Sequence, residues 1–271
     1  MSSKYWDENL AARYRAFRYA FPERPMTGRT IVVAGGTGGL GAATVALLAR
    51  EGARLIVGYR ANRARAEALR DAVREQFHQD VLLVEGDLAD SVTRRAYLAA
   101  VAQCGAPLAG AVVFPGDPAR AKFESLDCEA LIASLEANYV GPVLLAKDLG
   151  MAMEQSDGGS LVLLATMQAV APFESSLNYA APKAALVHAA RILGRQWSRV
   201  RVNVVAPGAT VAGMAEASVS SGKYDSFVEG GTIPRFGLPE DVARAVRFFL
   251  EPDNYVTGQI LVVDGGLTLR R

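Results

Sequence analysis

Tyr179 and Lys183 stand four residues apart in Tyr179-Ala180-Ala181-Pro182-Lys183. On a helix, that spacing places a phenol and an ammonium on one face. A phenol titrates near 10, too high for easy proton transfer at neutral pH, and a neighbouring ammonium stabilises the phenolate and draws that value down. Thr166, expected at the end of a strand, adds a hydroxyl able to hold a substrate oxygen in the same pocket. Pro182 complicates the helix: it has no N–H and disfavours helical geometry at Ala181, so the spacing argument expects it in the first turn.

A second group is Gly35-Gly36-Thr37-Gly38-Gly39-Leu40-Gly41, between a strand-like run and an apolar helix-like stretch, 42–50. Gly35 permits a tight turn, Gly39 lets backbone approach a pyrophosphate, and Gly41 lets helix and strand pack closely. The helix N-terminus offers unpaired N–H donors and a partial positive charge to phosphates. Thr37, Gly38 and Leu40 complete this dinucleotide-binding turn. The next strand ends in Val57-Gly58-Tyr59-Arg60-Ala61-Asn62-Arg63, which has no carboxylate to accept from a ribose 2′-hydroxyl. Arg60 instead suits a 2′-phosphate, helped by Arg63 and Thr37, so the cofactor expected is NADP(H) rather than NAD(H). The alternative is a solvated arginine-rich helix face, since Arg65, Arg70 and Arg74 follow. Asp87-Leu88 lies where adenine would be recognised.

Positioning these groups requires alternating elements. Apolar runs at 30–34, 54–58, 81–85, 110–114, 161–165, 201–206 and 259–263 read as strands. Several are nearly continuous Val, Ile and Leu, as parallel strands covered on both faces require. Helical patterns at 39–50, 62–77, 91–103, 128–155, 180–198 and 239–251 lie between them. The fold class expected is α/β, a Rossmann-type doubly wound seven-stranded parallel sheet with helices on both faces, binding ligands at the carboxyl ends of its strands. Residues 29–271 form one such domain, with a Gly-, Ser- and Thr-rich lid at about 209–235. Residues 1–28 are an extension. Its Trp6, Leu10, Tyr14, Phe17 and Phe21 recur at helical spacing, a stripe expected to pack on the body of the chain or on a sister subunit; a membrane-surface or partner-docking helix is the sharper alternative.

Taken together, these motifs make the chain resemble a short-chain dehydrogenase/reductase of the Tyr-x-x-x-Lys type over about residues 27–269. The resemblance rests on Gly35, Gly39 and Gly41, Asp87, Asn138 in Glu136-Ala137-Asn138-Tyr139-Val140-Gly141, Tyr179 and Lys183, Asn203-Val204-Val205-Ala206-Pro207-Gly208, Arg235-Phe236-Gly237-Leu238-Pro239-Glu240-Asp241, Thr257-Gly258-Gln259, and Val263-Asp264-Gly265-Gly266. It implies a catalytic tetrad. Tyr179 would be the general acid, Lys183 would bind the nicotinamide ribose and lower the phenol pKa, Asn138 would hold a relay water, and Thr166 would replace the family's usual serine. Pro207, Gly208 and Thr210 would join the cofactor site. The chain departs from the family at Val113-Phe114-Pro115-Gly116, where Asn-Asn-Ala-Gly is common, and at Ala212, where a threonine often touches the cofactor and Thr210 would partly compensate.

Composition removes other classes. The 271 residues carry 29 Lys and Arg against 28 Asp and Glu, a net charge of +1, unlike a nucleic-acid-binding domain. Half the residues are hydrophobic (51%) and 21% charged, which excludes a disordered acidic chain. Two cysteines and two histidines provide neither a disulfide framework nor a four-ligand zinc site, so no metal is expected. No apolar run is long enough to span a bilayer, no signal peptide is recognised, and a cytoplasmic location is expected. The function expected is hydride transfer between NADP(H) and a ketone or secondary alcohol, the partner being a small-molecule carbonyl compound and the assembly a homotetramer or homodimer. Met167, Phe173, Tyr139, Met214 and Phe227 are candidates for an apolar substrate wall. The alternatives are an NAD-dependent alcohol dehydrogenase and a catalytically weak nucleotide-binding sensor or scaffold.

Overall fold

The computed structural model describes residues 4–121, 123–174, 176–213 and 216–270. Seven parallel strands, β1 (Thr30–Ala34), β2 (Arg54–Tyr59), β3 (Val81–Glu85), β4 (Leu108–Val113), β5 (Gly159–Leu164), β6 (Val200–Pro207) and β7 (Ile260–Val263), pair in the order β3-β2-β1-β4-β5-β6-β7. The order reverses between β1 and β4, and the crevice beyond their carboxyl ends is where doubly wound sheets bind ligands. Alternate strand residues enter opposite layers. Val32 and Ala34 pack with Leu145, Leu149 and Leu186 on one face. Ile31 and Val33 pack with Val45, Leu48, Val246 and Phe249 on the other. Burial on both faces is why these strands read as continuous apolar runs.

Helices α2 (Gly39–Arg50), α3 (Arg63–Phe77), α4 (Ser91–Gln103), α7 (Leu177–Gln196) and α10 (Pro239–Leu250) follow the sequence pattern closely. The expected single helix over 128–155 is instead three segments: α5 (Cys128–Leu135), a π-helical turn (Glu136–Val140) and α6 (Gly141–Glu154). Pro142 explains the break. It has no N–H for the Asn138 carbonyl four residues earlier, and the Gly141 N–H reaches back five residues to the Glu136 carbonyl. The short helices α8 (Glu216–Ser220) and α9 (Asp225–Glu229) lie in the segment after β6, and α11 (Leu267–Arg270) follows β7.

The extension is helical over part of its length. Its helix α1 covers only Glu8–Arg15, capped by Asp7, and Phe17 beyond it has a positive φ of 55° that ends the helical course. The aromatic stripe does not pack on the rest of the chain: Trp6, Phe17 and Phe21 are 58%, 82% and 87% exposed. Attachment to the body begins at Pro25 and Met26, which are buried. Among the described residues, no helix is long and apolar enough to cross a membrane, and no group of three or more His, Cys, Asp or Glu could hold a metal.

Candidate active site

The turn from β1 into α2 lines a cavity of about 330 Å³ with Gly35, Thr37, Gly38, Gly39, Leu40 and Gly41. Arg60, Asp87 and Leu88 line the same cavity. Gly35 has a φ of +72°, which a side chain would strain. A Cβ on Gly41 would drive into the Gly35 carbonyl and the Gly36 backbone, so glycine is what lets α2 start against the turn. Gly39 lines the cavity as well, and the chain's own backbone crowds it from another side: a Cβ there would lie 2.8 Å from the Gly213 nitrogen and 2.9 Å from the Ala212 side chain. The segment after β6 thus closes over the start of α2. Gly38 caps α2 without a side-chain hydrogen bond, so the cap residue leaves the first N–H groups of the helix untaken. A glycine-lined cavity at an uncapped helix N-terminus fits the pyrophosphate of a dinucleotide.

The arginines sort differently from the sequence reading. Arg60 has no hydrogen bond or ion pair among the described residues and stays at the cavity wall. Arg63, expected as its helper, pairs with Glu67 one turn on at 3.0 Å. Arg65, read as part of a solvated face, donates from Nε to the Thr37 carbonyl at 2.7 Å, which brings a second guanidinium to the glycine turn. The signal was present in Glu67, placed four residues after Arg63 to draw it along the helix surface. Asp87 uses Oδ1 to accept from the Ala89 N–H at 2.9 Å, bracing the turn after β3.

A second cavity of about 210 Å³ is lined by Thr166, Tyr179, Lys183, Pro207, Gly208 and Thr210. Leu40 and Phe114 line both cavities and form the partition between them. Tyr179 and Lys183 therefore face one space, as the four-residue spacing requires, although Pro182 is the sixth residue of α7 and not in its first turn. Thr166 lies beyond the end of β5, where it caps the 3₁₀ turn Met167–Ala169. Its oxygen accepts from the Gln168 N–H at 3.3 Å, leaving its own proton to donate. Thr210 lines the cavity with its hydroxyl donating to the Gly208 carbonyl at 3.1 Å, and it is 2% exposed.

Asn138 lines neither cavity. Its side chain grips the backbone of Asp117, accepting from the Asp117 N–H at 3.1 Å and donating to the Asp117 carbonyl at 3.0 Å. A Cβ on Gly116 would stand 2.6 Å from Asn138 Oδ1 and 3.0 Å from Lys183 Nζ, so only glycine lets the loop after β4 lie against both. Lys183 Nζ donates to the carbonyls of Leu164 at 3.0 Å and Pro115 at 3.4 Å.

The family model described as enoyl-(acyl carrier protein) reductase matches residues 34–268. The chain belongs to the short-chain dehydrogenase/reductase family. Carbonyl reductase family member 4 of Danio rerio is 32% identical over 250 residues, 89% of this chain and 98% of its own. An acetoacetyl-CoA reductase of Synechocystis sp. is 30% identical over 241 residues, 88% of this chain and 95% of its own. A solved short-chain dehydrogenase/reductase structure from Mycobacterium ulcerans superposes with a TM-score of 0.84 at 27% identity, covering 91% of this chain and 92% of that one. The protein is thus an oxidoreductase of a family whose members use nicotinamide cofactors, and reduction of keto compounds is supported.

The electrostatics of this reductase correct one expectation. Burial pushes the Tyr179 phenol up to about 12, opposed only by the hydrogen bond from Thr166. Lys183 does not draw it down in the protein alone, because burial lowers the lysine itself to about 7 and its Nζ is directed at two carbonyls. A stability test follows. The unfolded chain holds the lysine proton up to about 10.5 and the folded chain only to about 7, so between these values the unfolded state binds more protons. The stability attributable to Lys183 is lowest at or below about pH 7 and rises toward pH 10.5. With nucleotide absent, urea unfolding should show wild type gaining stability over Lys183→Met as pH climbs through that window. A difference that stays flat would refute the buried lysine's lowered affinity for its proton.

Proposed function

We propose that the protein is an NADP(H)-dependent carbonyl reductase that moves a hydride between nicotinamide and a ketone or secondary alcohol, with Tyr179 as the general acid. The observation that carries this reading is the convergence of the Tyr179 and Thr166 hydroxyls with Lys183 in one cavity, which shares Leu40 and Phe114 with the glycine-lined cavity. The cofactor would be held by the turn 35–41, by Arg60 and Arg65 at a 2′-phosphate, by Asp87 and Leu88 beside adenine, and by Lys183, Pro207 and Gly208 at the nicotinamide end. When bound, it supplies the hydride.

The remaining work belongs to side chains. Thr166 donates to the carbonyl oxygen and fixes its position. Tyr179 gives that oxygen its proton as negative charge develops there, with the Thr166 hydrogen bond offsetting part of the rise that burial imposes on the phenol. Lys183 supports the phenolate left behind. Asn138 holds the loop after β4 against Lys183 and thereby sets where the ammonium stands. Closure of the 209–235 segment would exclude water.

The substrate wall is not the apolar surface expected. Met167 lines the cavity, but Tyr139 and Phe227 pack into the core, Phe173 lines a neighbouring hollow, and Met214 lies outside the described residues. Arg120, Lys223 and Glu174 line it instead. This mixed wall, together with the named acetoacetyl-CoA reductase relative, favours a 3-oxoacyl thioester over a steroid-like ketone. The exposed Leu131, Ile132 and Leu135 of α5 support assembly as a homodimer or homotetramer. A panel of 3-oxoacyl thioesters and simple ketones, followed by nicotinamide absorbance, should show NADPH oxidised with a thioester fastest. Oxidation of NADH alone would favour the NAD-dependent alternative, and oxidation of neither cofactor the sensor or scaffold alternative.

A further inference from the structure

Pro182 leaves a gap in the hydrogen bonding of the helix that carries Tyr179 and Lys183. In a regular helix the N–H of residue 182 would donate to the carbonyl of Asn178, but proline has none. Pro182 is the sixth residue of α7, so the carbonyl it strands lies within the helix, directly before Tyr179. Asn178 is 7% exposed and water does not freely replace the missing donor. The donor present is the hydroxyl of Ser134, on the last turn of α5, which bonds the Asn178 carbonyl. Ser134 is itself 3% exposed. Its oxygen also accepts from Asn138 Nδ2 at 3.2 Å. One hydroxyl therefore joins the side chain that grips the loop after β4 to the stranded carbonyl at the start of the catalytic helix.

We infer that Ser134 is a positioning residue for the reaction: its hydroxyl takes the place of the N–H that Pro182 lacks and holds the first turns of α7 so that Tyr179 and Lys183 share one cavity with Thr166. Ser134 touches neither cavity described above, so it acts only through α7 and Asn138. The inference rests on Tyr179 being the proton donor.

The test is a double-variant cycle, because Pro182→Ala restores an N–H opposite the Asn178 carbonyl. With the most active ketone of the panel and NADPH, Ser134→Ala in the native background should lower kcat about tenfold, the scale of a small misplacement of a catalytic group. The ketone KM and the NADPH Kd, by nicotinamide fluorescence, should stay within about twofold, since neither binding surface is touched. In the Pro182→Ala background the same substitution should cost less than about twofold, the coupling expected of groups that serve one carbonyl. An equal cost in both backgrounds, or an unchanged kcat in the native one, overturns the inference, as does a loss shared equally by kcat and cofactor affinity. Should Ser134→Ala alone not fold, the double variant decides: folded and active supports the role, and unfolded or inactive refutes it. These outcomes are separate from the reading of Tyr179 as the acid, which fails if Tyr179→Phe remains active.

Discussion

Tyr179→Phe is expected to lower ketone reduction about a thousandfold while leaving the NADPH dissociation constant within about twofold. The substitution removes one oxygen from a half-buried ring and leaves the ring's packing in place, so a large loss reports on the proton and not on the fold. Burial pushes the phenol up to about 12, which keeps the group protonated but makes it a weaker acid, so donation relies on the Thr166 hydrogen bond and on a charged Lys183 to favour the phenolate. In alcohol oxidation the same phenol must first lose its proton, which again calls for a charged Lys183 nearby. Thr166 is the control within the site. Its hydroxyl pulls the phenol pKa down against burial, so the two act as a unit and their deletions should not add. Steady-state rates with the best thioester of the panel, set beside fluorescence titration of NADPH, make the comparison. A Tyr179→Phe enzyme within about tenfold of wild type would end the assignment of Tyr179 as the acid.

The layered fold was legible because its signals are redundant. The inner strands of the sheet are buried on both faces, which forces unbroken apolar runs, and β1 falls where its run does. The glycine turn was legible for a similar reason, since Gly35 and Gly41 meet steric demands that only glycine satisfies. What misled was proline, in both directions. At Pro142 the apolar period continues across 128–155, and the missing N–H breaks the helix into a π turn that carries Asn138. At Pro182 the expectation was a first-turn position, and the helix instead accommodates it internally, with Ser134 on another element as the donor. A residue brought close by tertiary packing leaves no periodic trace in the sequence. The Tyr179 pKa was misjudged for the same cause: spacing puts lysine near tyrosine, but the directions of Nζ toward the Leu164 and Pro115 carbonyls belong to the packed interior. The Ala212–Gly213 backbone over Gly39 is likewise a contact between distant stretches.

The choice between the two nicotinamide cofactors turns on the end of β2, and Arg60→Asp is expected to invert it. Arg60 follows Tyr59 at the strand's end, lines the glycine-lined cavity beside Thr37, and has no internal partner among the described residues, so its full charge is available. A guanidinium bonded to a phosphate contributes about 1.5–3 kcal/mol, more than a neutral hydrogen bond. Aspartate removes that contribution and sets a carboxylate against the 2′-phosphate, while offering an acceptor to a ribose 2′-hydroxyl. NADPH affinity should fall about a hundredfold or more and NADH affinity should rise a few-fold, since each 1.4 kcal/mol is tenfold. Arg65 separates this from a general loss of positive charge. Its Nε is already engaged by the Thr37 carbonyl, so Arg65→Ala should weaken NADPH by only about fivefold and leave NADH unaffected. Arg63, paired with Glu67, should matter to neither. Calorimetric titration of both nucleotides into the three variants checks the ranking. If the NADPH-to-NADH affinity ratio is the same before and after Arg60→Asp, the 2′-phosphate is not read at this strand end, and the preference for NADP(H) loses its physical basis.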